Sequence, residues 1–232
     1  MAQKPMNALA RLSESMADVA LRELRRRILD NVWPPGYQAL EQELALALGM
    51  SRTPIHEALI CLQNEGLVKV IPRRGMRVLP VSAEDMREIY EVLTALECAA
   101  VEMVALRRPG EQELRPLADA TRDMALALED GGAGLEAWAA ADERFHKQLL
   151  VLCGNRQLHD TVLNYWDRAH RARMFTLKLR AKPVNSTQEH LALVERLLAG
   201  DAQGAVAINK AHRQRASAEL LSIFERFNLQ QM

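Results

Sequence analysis

Four residues in the C-terminal half of the chain have the types and spacing of a metal site. Asp142 and His146 are four positions apart, and Trp138, Asp142, Phe145, His146 and Leu149 fall on one side of a helix. The carboxylate and the imidazole are therefore neighbours turned toward an apolar interior, where an unpartnered carboxylate is costly. His190 shares a helix face with Leu193, Val194 and Leu197, and His212 shares one with Ala205, Ile208 and Ala216. Three imidazoles and a carboxylate directed at one helical interior suit a divalent transition metal such as Zn2+ or Ni2+. A lone inward histidine is more often a hydrogen-bonded core residue, and spacing alone keeps His159 and His170 as further candidates.

A second chemistry is written near the N-terminus. Ser51 suits an N-cap, Pro54 sits in a first helical turn where a missing N–H costs little, and Ile55, Leu59 and Leu62 recur at helical spacing. That leaves Arg52, Thr53 and His56 outward at a helix N-terminus, where a major groove can be read. Arg73 and Arg74 form a basic turn behind it, and Gln42 is the remaining candidate DNA contact.

The elements that position these residues follow from periodicity. Leu21, Leu24, Ile28 and Val32 stripe a first helix that stops at Pro34-Pro35-Gly36. Leu40, Leu44 and Leu48 stripe a second, which ends at Gly49, so only Gly49 and Met50 separate it from the Ser51 cap, a helix-turn-helix spacing. Val68 and Val70 alternate before the basic turn, and Met76 and Val78 after it. Three helices and a two-stranded wing make a winged helix-turn-helix. From Ser82, which with Asp85 is placed to open a helix through about Arg107, the pattern is helical almost throughout. Breaks at Pro109-Gly110, Gly131-Gly132-Ala133-Gly134, Gly154-Asn155, Pro183 and Gly200 divide this stretch into about six helices. The expected fold is mainly α: the winged domain followed by an antiparallel α-helical bundle.

Composition agrees. The 232 residues suffice for two cores. The formal net charge is zero, but residues 1–80 hold eleven Lys/Arg against eight Asp/Glu, so the positive end carries the DNA motif. Neutral overall charge and the lack of basic tails disfavour a DNA-coating structural protein. Nothing resembles a signal peptide or an apolar span of membrane length, which predicts a cytoplasmic protein with no membrane partner. Cys61, Cys98 and Cys153, scattered within apolar patterns, are expected to be reduced core thiols.

The run Pro35-Gly36, Glu41, Leu44-Ala45, Leu48-Gly49, Ser51-Arg52-Thr53-Pro54, Glu57-Ala58-Leu59, Gly66-Leu67 and Arg73-Arg74-Gly75 resembles the bacterial GntR transcription regulators. His56 stands where that family usually has Arg, a departure that bears on base preference. Residues 82–232 resemble the effector domain of the FadR-like branch, known as FCD, whose metal-binding members place ligands as Asp-x-x-x-His and one His on each of two later helices. That resemblance selects Asp142, His146, His190 and His212 and implies one divalent transition metal per chain, Zn or Ni. Relatives that bind carboxylates often carry an Arg near Leu93, so the missing cation turns attention to Arg144, Asn164 and Arg168 as effector-pocket residues. The resulting expectation is a disordered arm over 1–14, a DNA-binding domain over 15–80 and an effector and dimerisation domain over 81–232. It would act as a homodimeric regulator, as a repressor, on a (pseudo)palindromic operator in double-stranded DNA, controlled by an organic or sugar acid. The competing reading is a metal-dependent hydrolase with Glu143 or Glu189 as base. No HExxH pattern supports it.

Overall fold

A computed structural model describes residues 14–129, 134–179 and 181–228. The expected N-terminal arm, apart from residue 14, lies outside the described residues, as do three residues of the Gly131–Gly134 break. The chain divides into two compact units, Met1–Ile28 with Gly36–Leu79, and Leu29–Pro35 with Pro80–Met232.

The first unit begins with α1 (Met16–Leu29), which buries Ala20, Leu24 and Ile28. Val32, expected to continue that stripe, lies beyond the helix and is exposed, because the helix ends before it. After β1 (Gln38–Ala39) come α2 (Glu41–Leu48) and α3 (Arg52–Asn64). Gly49 closes α2 with φ +64°, a left-handed conformation that glycine takes without penalty. Leu40 is the N-cap of α2 and is exposed, so that helix is anchored by Leu44 and Ala45. Ile55, Ala58, Leu59 and Leu62 of α3 are all buried. Ser51 stands at the N-cap of α3 in extended conformation without a side-chain cap bond.

The wing is β2 (Val68–Ile71) paired antiparallel with β3 (Gly75–Val78). To this expected two-stranded hairpin β1 adds a third strand on the other edge of β3, giving the order β1-β3-β2. Gly75 makes that addition possible. Its φ is +76°, and a Cβ there would lie 2.0 Å from the Ala39 carbonyl oxygen.

The second unit consists of α4 (Ala83–Arg107), α5 (Glu111–Glu129), α6 (Leu135–Cys153), α7 (Arg156–Thr176) with a terminal 3-10 turn, α8 (Val184–Leu198) and α9 (Ala202–Arg226). Ser82 and Asp85 form a reciprocal capping box at the start of α4. Helix α4 packs against α6, α7 and α9, α5 against α6 and α8, and α8 against α9. Their core contains Leu93, Val101, Leu117, Phe145, Leu149, Trp166, Leu193 and Leu220. All three cysteines are free, but only Cys153 is buried. Cys61 is exposed because it falls off the face of α3 that carries Ile55, Leu59 and Leu62.

Candidate metal centre and nucleic-acid interface

Helix α6 delivers Asp142 and His146 from its buried face, α8 delivers His190 and α9 delivers His212, and all four side chains are buried. Ligand nitrogens of the three histidines lie within 4.8 Å of one another. The Nε2 atoms of His146 and His190 are 3.2 Å apart, and Asp142 Oδ1 lies 3.8 and 3.9 Å from them. Two nitrogens bound to one ion at about 2.0–2.1 Å and a tetrahedral angle are about 3.3 Å apart. The cluster thus has the donor set and the spacing of a transition-metal site. His159 and His170 do not join it: His159 meets Asp160, and His170 faces Glu143.

The groups behind the imidazoles differ from ring to ring. Glu189 lies 2.8 Å from His212 Nδ1, so the ring donates there and leaves Nε2 as a lone pair, as metal-binding histidines require. For His146, Nδ1 lies 2.9 Å from Arg213 Nη2 and 3.4 Å from Glu97 Oε2. Arginine can only donate, so that contact places the His146 proton on Nε2, facing His190. An ion at Nε2 requires the other tautomer, in which Nδ1–H donates to Glu97. Both tautomers have a partner in place. His190 Nδ1 is buried without a partner.

Electrostatics favour the metal-binding protonation states. Burial alone would raise the Asp142 carboxyl, but Arg173 and then the surrounding imidazoles hold it well below the ordinary carboxylate range. Burial pushes His146 down to about 4, with Arg213 adding to the effect, while Glu97 and Asp142 oppose it. His190 is lowered well below its ordinary value by burial and by His212. Near neutral pH these two imidazoles are unprotonated and Asp142 is ionised, the forms that ligate.

Beside this cluster lies a small cavity of about 30 Å3, lined among others by Asp142, His212, Arg173, Arg213, Tyr90 and Trp138. Arg173 pairs with Asp142, and Arg213 with Glu97. Their guanidinium carbons sit 5.0 and 5.8 Å from the Trp166 ring centroid, so one indole braces both cations. The indole itself donates to Glu97 at 3.1 Å. Of the residues expected at an effector pocket, none lines this cavity. Leu93 is packed in the core, Arg144 pairs with Asp123 at the surface, Asn164 is exposed, and Arg168 pairs with Asp85. The cations come instead from Arg173 and Arg213, which sequence reasoning missed although each stands on an apolar helix stripe, Arg173 with Val162, Trp166 and Ala169.

In the first unit, Gln42, Arg52, Thr53, His56 and Arg73 line one open concavity of about 980 Å3 between α2, α3 and the wing. Arg74 is exposed in the same wing turn, outside that lining. Arg73 has φ +62°, a left-handed conformation that non-glycine residues rarely take. His56 Nδ1 lies 2.9 Å from Glu41 Oε1.

Residues 17–78 match the bacterial regulatory proteins of the gntR family, and residues 88–215, more than half of the chain, match the FCD domain. The chain belongs to the GntR family. This GntR regulator is 47% identical over 153 residues, 64% of its own length and 88% of the relative's, to an HTH-type transcriptional regulator from the TAR-I ttuE-ttuC' intergenic region of Agrobacterium vitis. It is 26% identical over 202 residues, 87% of each chain, to the HTH-type transcriptional repressor RspR of Escherichia coli. Among solved structures, E. coli McbR/YncC shares its fold with a TM-score of 0.75 at 22% identity, covering 90% of this chain and 99% of that one. The protein is thus a transcriptional regulator with a winged helix-turn-helix and an FCD effector domain, and no helix among the described residues is long and apolar enough to cross a membrane.

Proposed function

We propose that this GntR regulator is a cytoplasmic, homodimeric repressor whose FCD domain holds one divalent transition ion, Zn2+ or Ni2+, on Asp142, His146, His190 and His212. A small organic or sugar acid would control operator binding by opening the adjoining cavity, which at about 30 Å3 is the size of one water molecule. The observation that carries this reading is a cluster of a carboxylate and three imidazoles that meets, through Asp142 and His212, a cavity also lined by two arginines. When bound, the ion supplies a Lewis-acidic anchor for an oxygen of the ligand. Arg173 and Arg213, beyond their pairs with Asp142 and Glu97, supply positive charge and their remaining N–H donors toward a carboxylate, and Trp166 braces both guanidinium groups. The name of the E. coli relative supports the repressor assignment.

Catalysis is not part of the proposal. Glu189 is committed to His212 and Arg215, and Glu143 to Lys147, so neither carboxylate considered as a general base is free for that role. Control is by linkage: a ligand that prefers one arrangement of the dimer shifts the two winged helices into or out of register with the operator half-sites.

Fluorescence anisotropy on a duplex selected by the protein tests this reading, with a panel of small organic and sugar acids added to zinc-loaded protein. At least one acid should weaken operator binding about tenfold or more, a coupling of typical size. Arg173→Ala should lose that response and retain DNA binding. A panel that leaves operator affinity unchanged would refute effector control by acids.

A further inference from the structure

The contact between α2 and the first turn of α3 has a consequence for base recognition. Glu41 Oε1 lies 2.9 Å from His56 Nδ1. A carboxylate only accepts, so the imidazole proton sits on Nδ1, and the neutral ring presents Nε2 as a lone pair. The His56 side chain is 55% exposed and that of Glu41 only 20%, so the imidazole is the more open member of the pair. Both residues line the concavity that also holds Arg52, Thr53 and Arg73, with Glu57 the other acidic group there. We propose that His56 reads its base as a hydrogen-bond acceptor, with Glu41 as the positioning residue that fixes the tautomer. This rests on the reading that the start of α3 faces DNA.

In the major groove an acceptor can engage only an exocyclic amino group, N4 of cytosine or N6 of adenine. Guanine offers N7 and O6, and thymine offers O4 and a methyl, none of which pairs with a lone pair. Arg52, four residues earlier on the same helix, is donor-only and suits guanine. The first turn of α3 therefore carries two readers of opposite polarity, which lets a short helix distinguish the two orientations of a G·C pair. Glu41 also acquires a reason to stand in a concavity meant for a polyanion. Its carboxylate oxygen is occupied as the acceptor of the imidazole Nδ1–H.

The test uses the full chain at pH 8, where imidazoles are ordinarily neutral. Duplexes are selected from a random pool by wild type and by His56→Ala, which identifies the base pair whose preference depends on His56. At that pair the exocyclic amino group is deleted with purine or pyrimidin-2-one, and separately N7 of the purine is replaced in a 7-deaza analogue. Amino deletion should cost wild type about five- to tenfold in affinity, the worth of one hydrogen bond, and 7-deaza substitution should cost nothing. His56→Ala, which controls for altered base pairing, should show no such extra loss. His56→Arg should move the preference to guanine on the same strand and become sensitive to 7-deaza substitution. Glu41→Ala should narrow the wild-type preference without moving it. Wild type sensitive to N7 and indifferent to the amino group would overturn the acceptor assignment. Selection profiles identical for wild type and His56→Ala would overturn it at its premise, the placement of His56 against a base.

Discussion

Arg73 holds a left-handed backbone conformation at the tip of the wing, where an L side chain is strained by about 1 kcal/mol or more. Arg73→Gly should relieve the strain and raise the free energy of unfolding by up to about 1 kcal/mol, while weakening DNA binding and flattening its salt dependence. Chemical denaturation and salt-titrated binding on the same variant check both signs, and a loss of stability would show that the conformation is not strained. Glu97 poses a different question. It is fully buried, with Arg213, Trp166 and His146 around it, and although burial opposes ionisation, Arg213 and His146 bring it down to about 2. If Glu97 orients His146 for the ion, Glu97→Gln should weaken zinc binding by about 10–100-fold, measured by competition with a chromophoric chelator. Unchanged zinc affinity would make Glu97 a partner of Arg213 alone. Polar residues on apolar stripes suggested Asp142, His146, His190 and His212 as a cluster, but spacing left His159 and His170 open, and only the resemblance to the FCD domain chose among them. The same test applied to arginine and glutamate would have found Arg173, Arg213 and Glu97, since Glu97 shares the stripe of Tyr90, Leu93 and Val101. Nothing in spacing could show that Leu93 packs away from the cavity.

At the scale of elements, the helices were readable because their signals are local: the Ser82–Asp85 capping box, Gly49 after α2, and Gly154-Asn155 between α6 and α7. Strand β1 was not. Two residues cannot show alternation, and its pairing depends on a close approach that only the folded wing reveals. Gly75 marks that approach. Gly75→Ala, with a Cβ driven into the Ala39 carbonyl and a left-handed φ to maintain, should separate β1 from β3 and destabilise the winged unit by about 1–3 kcal/mol. Hydrogen exchange should then show faster exchange of the backbone amides in the β1–β3 ladder, with those of α4–α9 unchanged. A wing of undiminished protection would mean that the backbone accommodates the methyl.

For the whole molecule, burial of ionisable groups links stability to pH. His146 is held at about 4 against an ordinary 6.5, and His190 is also lowered. Below pH 6.5 the unfolded chain takes up protons that the folded chain refuses. The stability these neutral rings allow is therefore complete above about 6.5 and is lost as the pH falls toward their folded values. The slope is at most about 1.4 kcal/mol per pH unit for each ring. Glu97, lowered from 4.5 to about 2, extends the loss below pH 4.5. Melting curves of metal-free protein should shift steadily downward from pH 7 to pH 4. A flat profile would mean that the histidines are not buried as neutral rings.

Metal binding by Asp142, His146, His190 and His212 is the claim on which effector control depends, and equilibrium dialysis of metal-free full-length protein against Zn2+ or Ni2+ at pH 7.5 tests it most directly. Wild type should retain one ion per chain and melt at a higher temperature with it, because only the folded state brings the four ligands together. His190→Ala and Asp142→Asn should bind the ion far more weakly and lose most of that stabilisation. A protein that retains no ion, or variants that bind as wild type does, would contradict the metal assignment and return these four residues to the core.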